Sequence, residues 1–380
     1  MGTQVVALEH PRTTCAPAWR ARAPVRDDST YLITGGLSGV GLETARWLVS
    51  RGARQLVLVG RSGAATDEAR AGVAALERRG VRVSVARVDV SDEDQVRTLL
   101  ERIDRELPPL RGIVHGAMVL DDGLISQLTP ERFANVLAPK ALGALNLHRL
   151  TRDRLLDFFV LYSSIASVGL QGQANYVAAN VFLDALAHAR AAEGLPSLAI
   201  NWGVIGQIGY VSRNAQLYGY FDQLGMRSIT PREIHDALGH YLGRSLPQVF
   251  VAPIDWARLA GFAPILVRSP RFAALVPKGE TPDQAPAASL EASRLQAIRQ
   301  CSDPLERKRL LGEFVAQVVG AVLGLDASQV DQERPITDLG LDSLLALQLS
   351  GRLEGSLGVS LPVARLLAGA SVAQISGSIG

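Results

Sequence analysis

Near residue 30 a short apolar run, TYLIT, leads into TGGLSGVG (Thr34 to Gly41) and then into a helical pattern, GLETARWLVSRGA, that stops at Gly52. Gly35, Gly39 and Gly41 follow the spacing G-x-x-x-G-x-G between a strand and a helix. A glycine-lined turn in that context lets backbone N–H groups approach a pyrophosphate at the N-terminus of the following helix. This is the constraint that most narrows the fold. The whole turn, Thr34, Gly35, Gly36, Leu37, Ser38, Gly39, Val40 and Gly41, is therefore read as the phosphate-binding part of a dinucleotide site.

The alternation begun there continues. QLVLVG, VRVSVARVDV, RGIVHGAMV, DFFVLYSS and PSLAINWG read as further strands, with QVFVAPIDW as a seventh. Helical patterns stand between them, one capped by Ser91 and one long helix opened by Thr129 and Pro130. Strands alternating with helices at this pitch predict an α/β fold, a doubly wound parallel sheet of Rossmann type. The stretch from Trp202 to about Thr230 is too long for an ordinary connection and reads as a substrate lid or a surface insertion. VPKGETPDQAPAAS reads as a linker. Beyond it the chain is helical with no strand pattern, which predicts a small four-helix bundle. The expected domains are thus a linker or remnant at 1–28, a nucleotide-binding domain at 29–275, a linker at 276–300 and a helical domain at 301–380.

Composition excludes several classes. Apolar residues make up 47% and charged residues 20%, as in a globular protein. A formal net charge of +2 gives no support for a nucleic-acid or anionic-membrane partner. Cys15 and Cys301 match no metal-ligand spacing, so no metal is expected, and a reducing cytoplasm fits. No apolar run reaches the roughly 18 residues of a membrane span.

The strand after the first helix ends in VGRSG, with no acid to bond ribose hydroxyls. Arg61 and Ser62 suit a 2′-phosphate instead, which points to NADPH. Asp89, followed by Val90, is read either as an acceptor for the adenine amino group or as a turn cap. Reducing a ketone also needs a proton donor. Tyr176, in GQANYVAAN, is a phenol with a free pKa near ~10 that a nearby cation makes more usable. The position four residues on is Asn180, not a basic residue. The cation is then sought upstream, and Lys140 is the sole lysine before residue 278. The serine hydroxyls of LYSSIAS end the fifth strand, where ligands meet open parallel sheets.

These residues carry a family resemblance. YLITGGLSGVGLETARWLVSRGARQLVLVGRSG, VHGAMVLDDGLISQLTPERFANVLAPKALGALNLH and FFVLYSSIASVGLQGQANYVAANVFLDALA closely resemble the ketoreductase domain of type I polyketide synthases, from about Ser29 to Leu259. The resemblance implies Tyr176 as acid, Lys140 as its cation, Asn180 as an orienting group and Ser164 as the carbonyl-binding hydroxyl. Ser163 keeps the family's usual separation from the tyrosine, while Ser164 keeps the usual separation from the lysine. Ser164 is preferred, with one residue deleted from SVGLQG. Leu120, Asp121 and Asp122 resemble the motif of the subgroup that makes a (3R)-alcohol, although Gln171 replaces a proline common there. His115 is read as packing near the cofactor.

LGLDSLLALQLSGRLEGSLGVSLPVARLL resembles an acyl carrier protein over about residues 305 to 378. That likeness implies 4′-phosphopantetheine on Ser343, which by its pattern alone would be a helix cap. The expected activity is NADPH-dependent reduction of a β-ketoacyl thioester, tethered to phosphopantetheine, to a β-hydroxyacyl thioester. The implied partners are other domains of the same synthase, a phosphopantetheinyl transferase and the tethered substrate. The family's companion structural half is not found before the glycine turn, and MGTQVVALEHP suits the end of a preceding enoylreductase. The rival expectation is a carrier or scaffold module with a silent reductase fold.

Overall fold

The computed structural model describes residues 4–5, 25–123, 125–168, 173–209, 219, 221–222, 224–262, 272, 275, 294–323, 325–341, 343–357 and 361–379. The chain packs into two compact units, Met1–Asp222 with Met226–Ile254, and Gln223–Gly225 with Asp255–Gly380. Most of the 1–28 segment, much of the lid stretch and residues 276–293 of the linker lie outside the described residues.

The first unit is an eight-stranded, wholly parallel sheet. Its strands are β1 (Gln4–Val5), β2 (Thr30–Thr34), β3 (Gln55–Val59), β4 (Arg82–Ala86), β5 (Leu110–His115), β6 (Phe158–Ser164), β7 (Leu198–Trp202) and β8 (Gln248–Val251). The order is β1-β8-β7-β6-β5-β2-β3-β4. All seven strands expected from the sequence are present. The short β1 lies in a segment read as irregular; it pairs with β8, where a parallel neighbour supplies the regularity its sequence lacks.

Period-two alternation sends Tyr31 and Ile33 to one face and Leu32 to the other. The first face is covered by α1 (Gly39–Ser50), α2 (Asp67–Glu77) and α7 (Pro231–Tyr241), through Trp47, Leu48, Leu76, Ile234 and Leu238. The second is covered by α3 (Glu93–Glu106), α5 (Gly143–Thr151) and α6 (Ala174–Ala192), through Leu99, Ile103, Leu147, Leu183 and Leu186. Both faces being buried explains why the strands read as continuous apolar runs. Each of these side chains contributes about 1.5–3 kcal/mol by leaving water.

Two local expectations are corrected. The cap of α3 is Asp92, whose carboxylate accepts from the Gln95 N–H, not Ser91. The long helix after Thr129 is not continuous. Thr129 does cap α4 (Pro130–Leu137), but Ala138–Leu142 is a π-helical turn before α5 begins. Pro139 inside that turn cannot donate a helical hydrogen bond, and a wider turn accommodates it.

The second unit contains α8 (Trp256–Phe262), α9 (Pro304–Leu323), α10 (Ser343–Leu357), α11 (Val363–Leu367) and α12 (Val372–Ile379). Helices α9 to α12 share one core, with Phe314, Val315, Val319, Leu349, Leu353, Leu366 and Ile375 buried in it. These four helices form the expected bundle. No helix among the described residues is long and apolar enough to cross a membrane.

Candidate active site

The sheet order switches direction between β2 and β5, the point at which open parallel sheets have a crevice outside the carboxyl ends of their strands. The glycine turn enters this crevice. Gly35 has φ +67° and Gly39 φ +50°, both in the left-handed region that favours glycine. A Cβ on Gly41 would lie 2.1 Å from the Gly35 carbonyl oxygen, so the turn closes only without one. Ser38 precedes α1 but its side chain makes no capping bond. The Glu68 carboxylate lies 3.3 Å from the Gly39 nitrogen and accepts its N–H, the acceptor expected at the positive end of a helix. The turn therefore fits a pyrophosphate.

Beside it lies a cleft of about 120 Å³ lined by Thr34, Gly35, Gly60, Arg61, Asp89, Val90 and Pro139, among others. Arg61 and Ser62 are exposed at the end of β3. Asp89 lines the cleft, but it does not end a strand, because β4 stops at Ala86. Its Oδ1 accepts from the Ser91 N–H at 2.9 Å and the Ser91 hydroxyl at 2.6 Å. One carboxylate oxygen thus caps a turn while the residue borders the cleft, so the two readings of Asp89 are compatible.

The π-helical turn carries Lys140 into the interior, where it is 2% exposed. Its Nζ donates to the Tyr162 carbonyl at 2.9 Å. Burial holds its pKa down at about 7, against the opposing charge of Asp184. His115, at the end of β5, joins this turn to the cofactor turn. Its Nε2 lies 2.9 Å from the Lys140 carbonyl oxygen and its Nδ1 2.8 Å from the Thr34 hydroxyl. A neutral ring that donates from Nε2 and accepts at Nδ1 satisfies both. Burial holds His115 at about 4, which keeps it neutral.

Tyr176 sits in the first turn of α6, and the Lys140 Nζ stands 5.0 Å from the centre of its ring. Desolvation raises the phenol above the usual tyrosine value. The side chains of Asn180 and Ser164 pull it down, and the Asp122 charge pushes it further up. The ammonium lies over the ring face, and desolvation is the largest influence on the phenol, contrary to the lowered phenol expected from the sequence. Asn180 is fully buried; its Nδ2 donates to the Tyr176 carbonyl at 2.8 Å and its Oδ1 has no partner.

The two serines face different surroundings. Ser163 is buried, accepts from Asn201 Nδ2 at 2.9 Å and lies 3.4 Å from the Asn180 carbonyl oxygen. Ser164 ends β6, accepts the Ala166 N–H at 3.1 Å and acts on the Tyr176 phenol. Behind Ser163 lies a polar network that sequence reading missed. Asp184 is 9% exposed, and its carboxylate oxygens lie 2.9 and 3.1 Å from Asn201 Nδ2. Desolvation raises the Asp184 carboxyl; Ser163, Asn201, Ser167 and the Lys140 charge pull it down. The one available signal was an aspartate in the otherwise apolar stretch VFLDALA.

Asp121 and Asp122 stand on the loop facing the start of α6, with Leu120 before them. Arg132 hydrogen-bonds Asp121 and lowers its carboxyl, while desolvation raises Asp122. In the other unit Ser343 begins α10. The Ser343 side chain, Asp342, Gln171 and the site of the deleted residue in SVGLQG lie outside the described residues.

Comparison with known proteins places these features. The KR domain family matches residues 29–207, and the phosphopantetheine attachment site family matches 313–379. Polyketide synthase GfsA of Streptomyces halstedii is 36% identical over 337 residues, 88% of this chain and 4% of that protein. Lovastatin diketide synthase lovF of Aspergillus terreus is 34% identical over 373 residues, 93% of this chain and 14% of that protein. The chain thus spans a small part of these relatives. Among solved structures, an A1-type ketoreductase superposes with a TM-score of 0.61 at 33% identity, covering 68% of this chain and 56% of that one. A ketoreductase from the first module of phoslactomycin biosynthesis in Streptomyces sp. HK803 gives 0.61 at 30% identity, covering 66% and 59%. KR domains use NADPH and attachment-site domains carry 4′-phosphopantetheine, in line with the two cofactors expected. In sequence and in fold, the chain resembles the ketoreductase and acyl carrier region of a type I polyketide synthase, with its KR domain at 29–207 and its phosphopantetheine attachment site at 313–379.

Proposed function

We propose that this chain reduces a β-ketoacyl thioester, carried on phosphopantetheine at Ser343, to the β-hydroxyacyl thioester, with NADPH as reductant and the (3R)-alcohol as product. The observation that carries this reading is the convergence of Tyr176, Ser164 and Lys140 at the open end of β6, beside the glycine turn. The turn from Thr34 to Gly41 holds the pyrophosphate, and Arg61 with Ser62 holds the 2′-phosphate. When bound, NADPH supplies the hydride. The Ser164 hydroxyl donates to the ketone oxygen and orients it. As the carbonyl π electrons move to that oxygen, the Tyr176 O–H bond breaks and its proton closes the alcohol. The phenolate left behind is stabilised by the Lys140 ammonium. Asn180 fixes the backbone of the tyrosine's helical turn.

The domain limits at 29–275 and 301–380, a cytoplasmic setting, a phosphopantetheinyl transferase partner and neighbouring synthase domains belong to the same proposal. The test follows NADPH absorbance with a 3-oxoacyl thioester of N-acetylcysteamine, with Tyr176→Phe as control. Consumption that stops in the control supports the reductase. No consumption by the folded protein leaves a carrier with a silent reductase fold. Mass analysis after treatment with a phosphopantetheinyl transferase and coenzyme A tests the carrier; a Ser343→Ala protein that still gains the arm refutes that attachment site.

A further inference from the structure

His115 stands between the glycine turn and the turn that carries Lys140, and the reaction above gives it no part. Its ring is 1% exposed and closely held: a Cβ on Gly143 would lie 3.2 Å from its Cε1. The Thr34 hydroxyl, 2.8 Å from Nδ1, also accepts the N–H groups of Gly116 and Ala117, each at 3.2 Å. A hydroxyl has one proton and two lone pairs. Both lone pairs are taken, so the Thr34 proton goes to Nδ1. The ring proton is then on Nε2, which donates to the Lys140 carbonyl at 2.9 Å. One arrangement of hydrogens thus satisfies every group along the link. Its two ends belong to the cofactor site. Thr34 opens the glycine turn, Pro139 immediately precedes Lys140, and both line the cleft beside that turn. A Cβ on Gly35 would lie 2.7 Å from the Gly116 carbonyl oxygen, so the glycine turn and the end of β5 meet backbone to backbone.

We propose that His115 is a positioning residue that couples the two halves of the site: it passes the ordering of the glycine turn by a bound dinucleotide to the turn that carries Lys140, and so fixes the ammonium over the Tyr176 ring when the cofactor is in place. This rests on the cofactor reading above. Coupling between two sites needs a physical element that both of them bias. The π-helical turn Ala138–Leu142 is such an element, a wider winding set between α4 and α5, and His115 holds the carbonyl at its middle. An imidazole is a rigid plate, so its two bonded ends move together. A shift of Thr34 is carried through the ring to the Lys140 backbone, from which the ammonium reaches the tyrosine. The linkage is reciprocal: a π-helical turn held in place favours the glycine turn that binds the dinucleotide.

The test is hydrogen–deuterium exchange with and without saturating NADP⁺, read over residues 34–42 and 136–143, in wild type, His115→Leu, His115→Gln and Thr34→Val. In wild type NADP⁺ should slow exchange in both windows. His115→Leu breaks one end of the link and Thr34→Val the other; in each, NADP⁺ should still slow 34–42 but no longer 136–143. His115→Gln, which keeps a donor and an acceptor, should retain part of the second response. With NADPH and 3-oxopentanoyl N-acetylcysteamine thioester, kcat should fall about tenfold in His115→Leu and recover in part in His115→Gln. A role in packing alone would quicken exchange equally with and without NADP⁺ and leave the difference between them intact. Either broken-link variant, folded and showing the wild-type response in 136–143, therefore overturns the proposal. Wild-type protection confined to 34–42 overturns it as well and spares the cofactor reading. Protection in neither window of wild type sinks the cofactor reading and the proposal together.

Discussion

Lys140 donates from Nζ to the Tyr162 carbonyl at 2.9 Å and holds that same ammonium 5.0 Å from the centre of the Tyr176 ring. The strand carbonyl thus aims the cation at the tyrosine. Burial costs this lysine much of its charge, since its pKa falls from 10.5 to about 7.

Lys140→Met should lower kcat by about 10²–10³-fold, the usual loss when one transition-state stabiliser is removed. In wild type the rate should fall as pH rises through about 7, where the ammonium is lost. The variant's residual rate should lack that step. Stability should move the other way. Between about 7 and 10.5 the unfolded chain binds more protons than the folded one, so wild-type stability rises with pH across that window. Lys140→Met should lack the rise and melt no lower than wild type at pH 7, because an apolar side chain replaces a desolvated cation. Calorimetry across the window checks this.

The two serines should separate by phenotype. Ser164→Ala removes the hydroxyl that acts on Tyr176 and should cost about 10²-fold in kcat with little change in melting temperature. Ser163→Ala removes a buried acceptor of Asn201 and should cost roughly 1–3 kcal/mol of stability, with a smaller effect on rate. Paired kinetics and denaturant titrations decide. The reverse pattern would move the carbonyl-binding role to Ser163.

Asp184→Asn should shift the pH–rate profile. The Asp184 charge raises the Lys140 pKa against its burial, and Lys140 in turn lowers that of Asp184. Without the carboxylate the ammonium is lost at lower pH, so the fall in rate should begin below its wild-type position. A profile that stays in place would show that Asp184 serves packing alone.

His115 predicts an acid limb of stability. Its folded pKa of about 4 lies below the ordinary 6.5, so the unfolded chain takes up the extra proton as pH falls through that window. The resulting loss is roughly 3 kcal/mol, complete below about 4. His115→Gln retains a donor and an acceptor without titrating and should flatten that limb. Urea unfolding between pH 4 and 7 measures it.

The sequence by itself determined the parallel sheet, the glycine turn, the sole early lysine and the tyrosine four residues before Asn180. Each is a local pattern, written in side-chain period or in residue type. The helical bundle was legible for the same reason. The tertiary structure decided the rest. Ser163 and Ser164 are adjacent in sequence, but successive strand residues point to opposite faces, and only the packed sheet places one beneath α6. The π-helical turn that carries Lys140 accommodates Pro139, which no period reveals. Asp184 and Asn201 read as an aspartate in a helix and an asparagine in a strand; they meet because α6 lies across β7. Arg132 reads as one arginine among many, and its contact with Asp121 exists only because the loop folds back over it. What depends on neighbours distant in sequence, the direction of a hydroxyl, the counter-charge of a buried amine and the anchor of a loop, is fixed by packing and not by pattern.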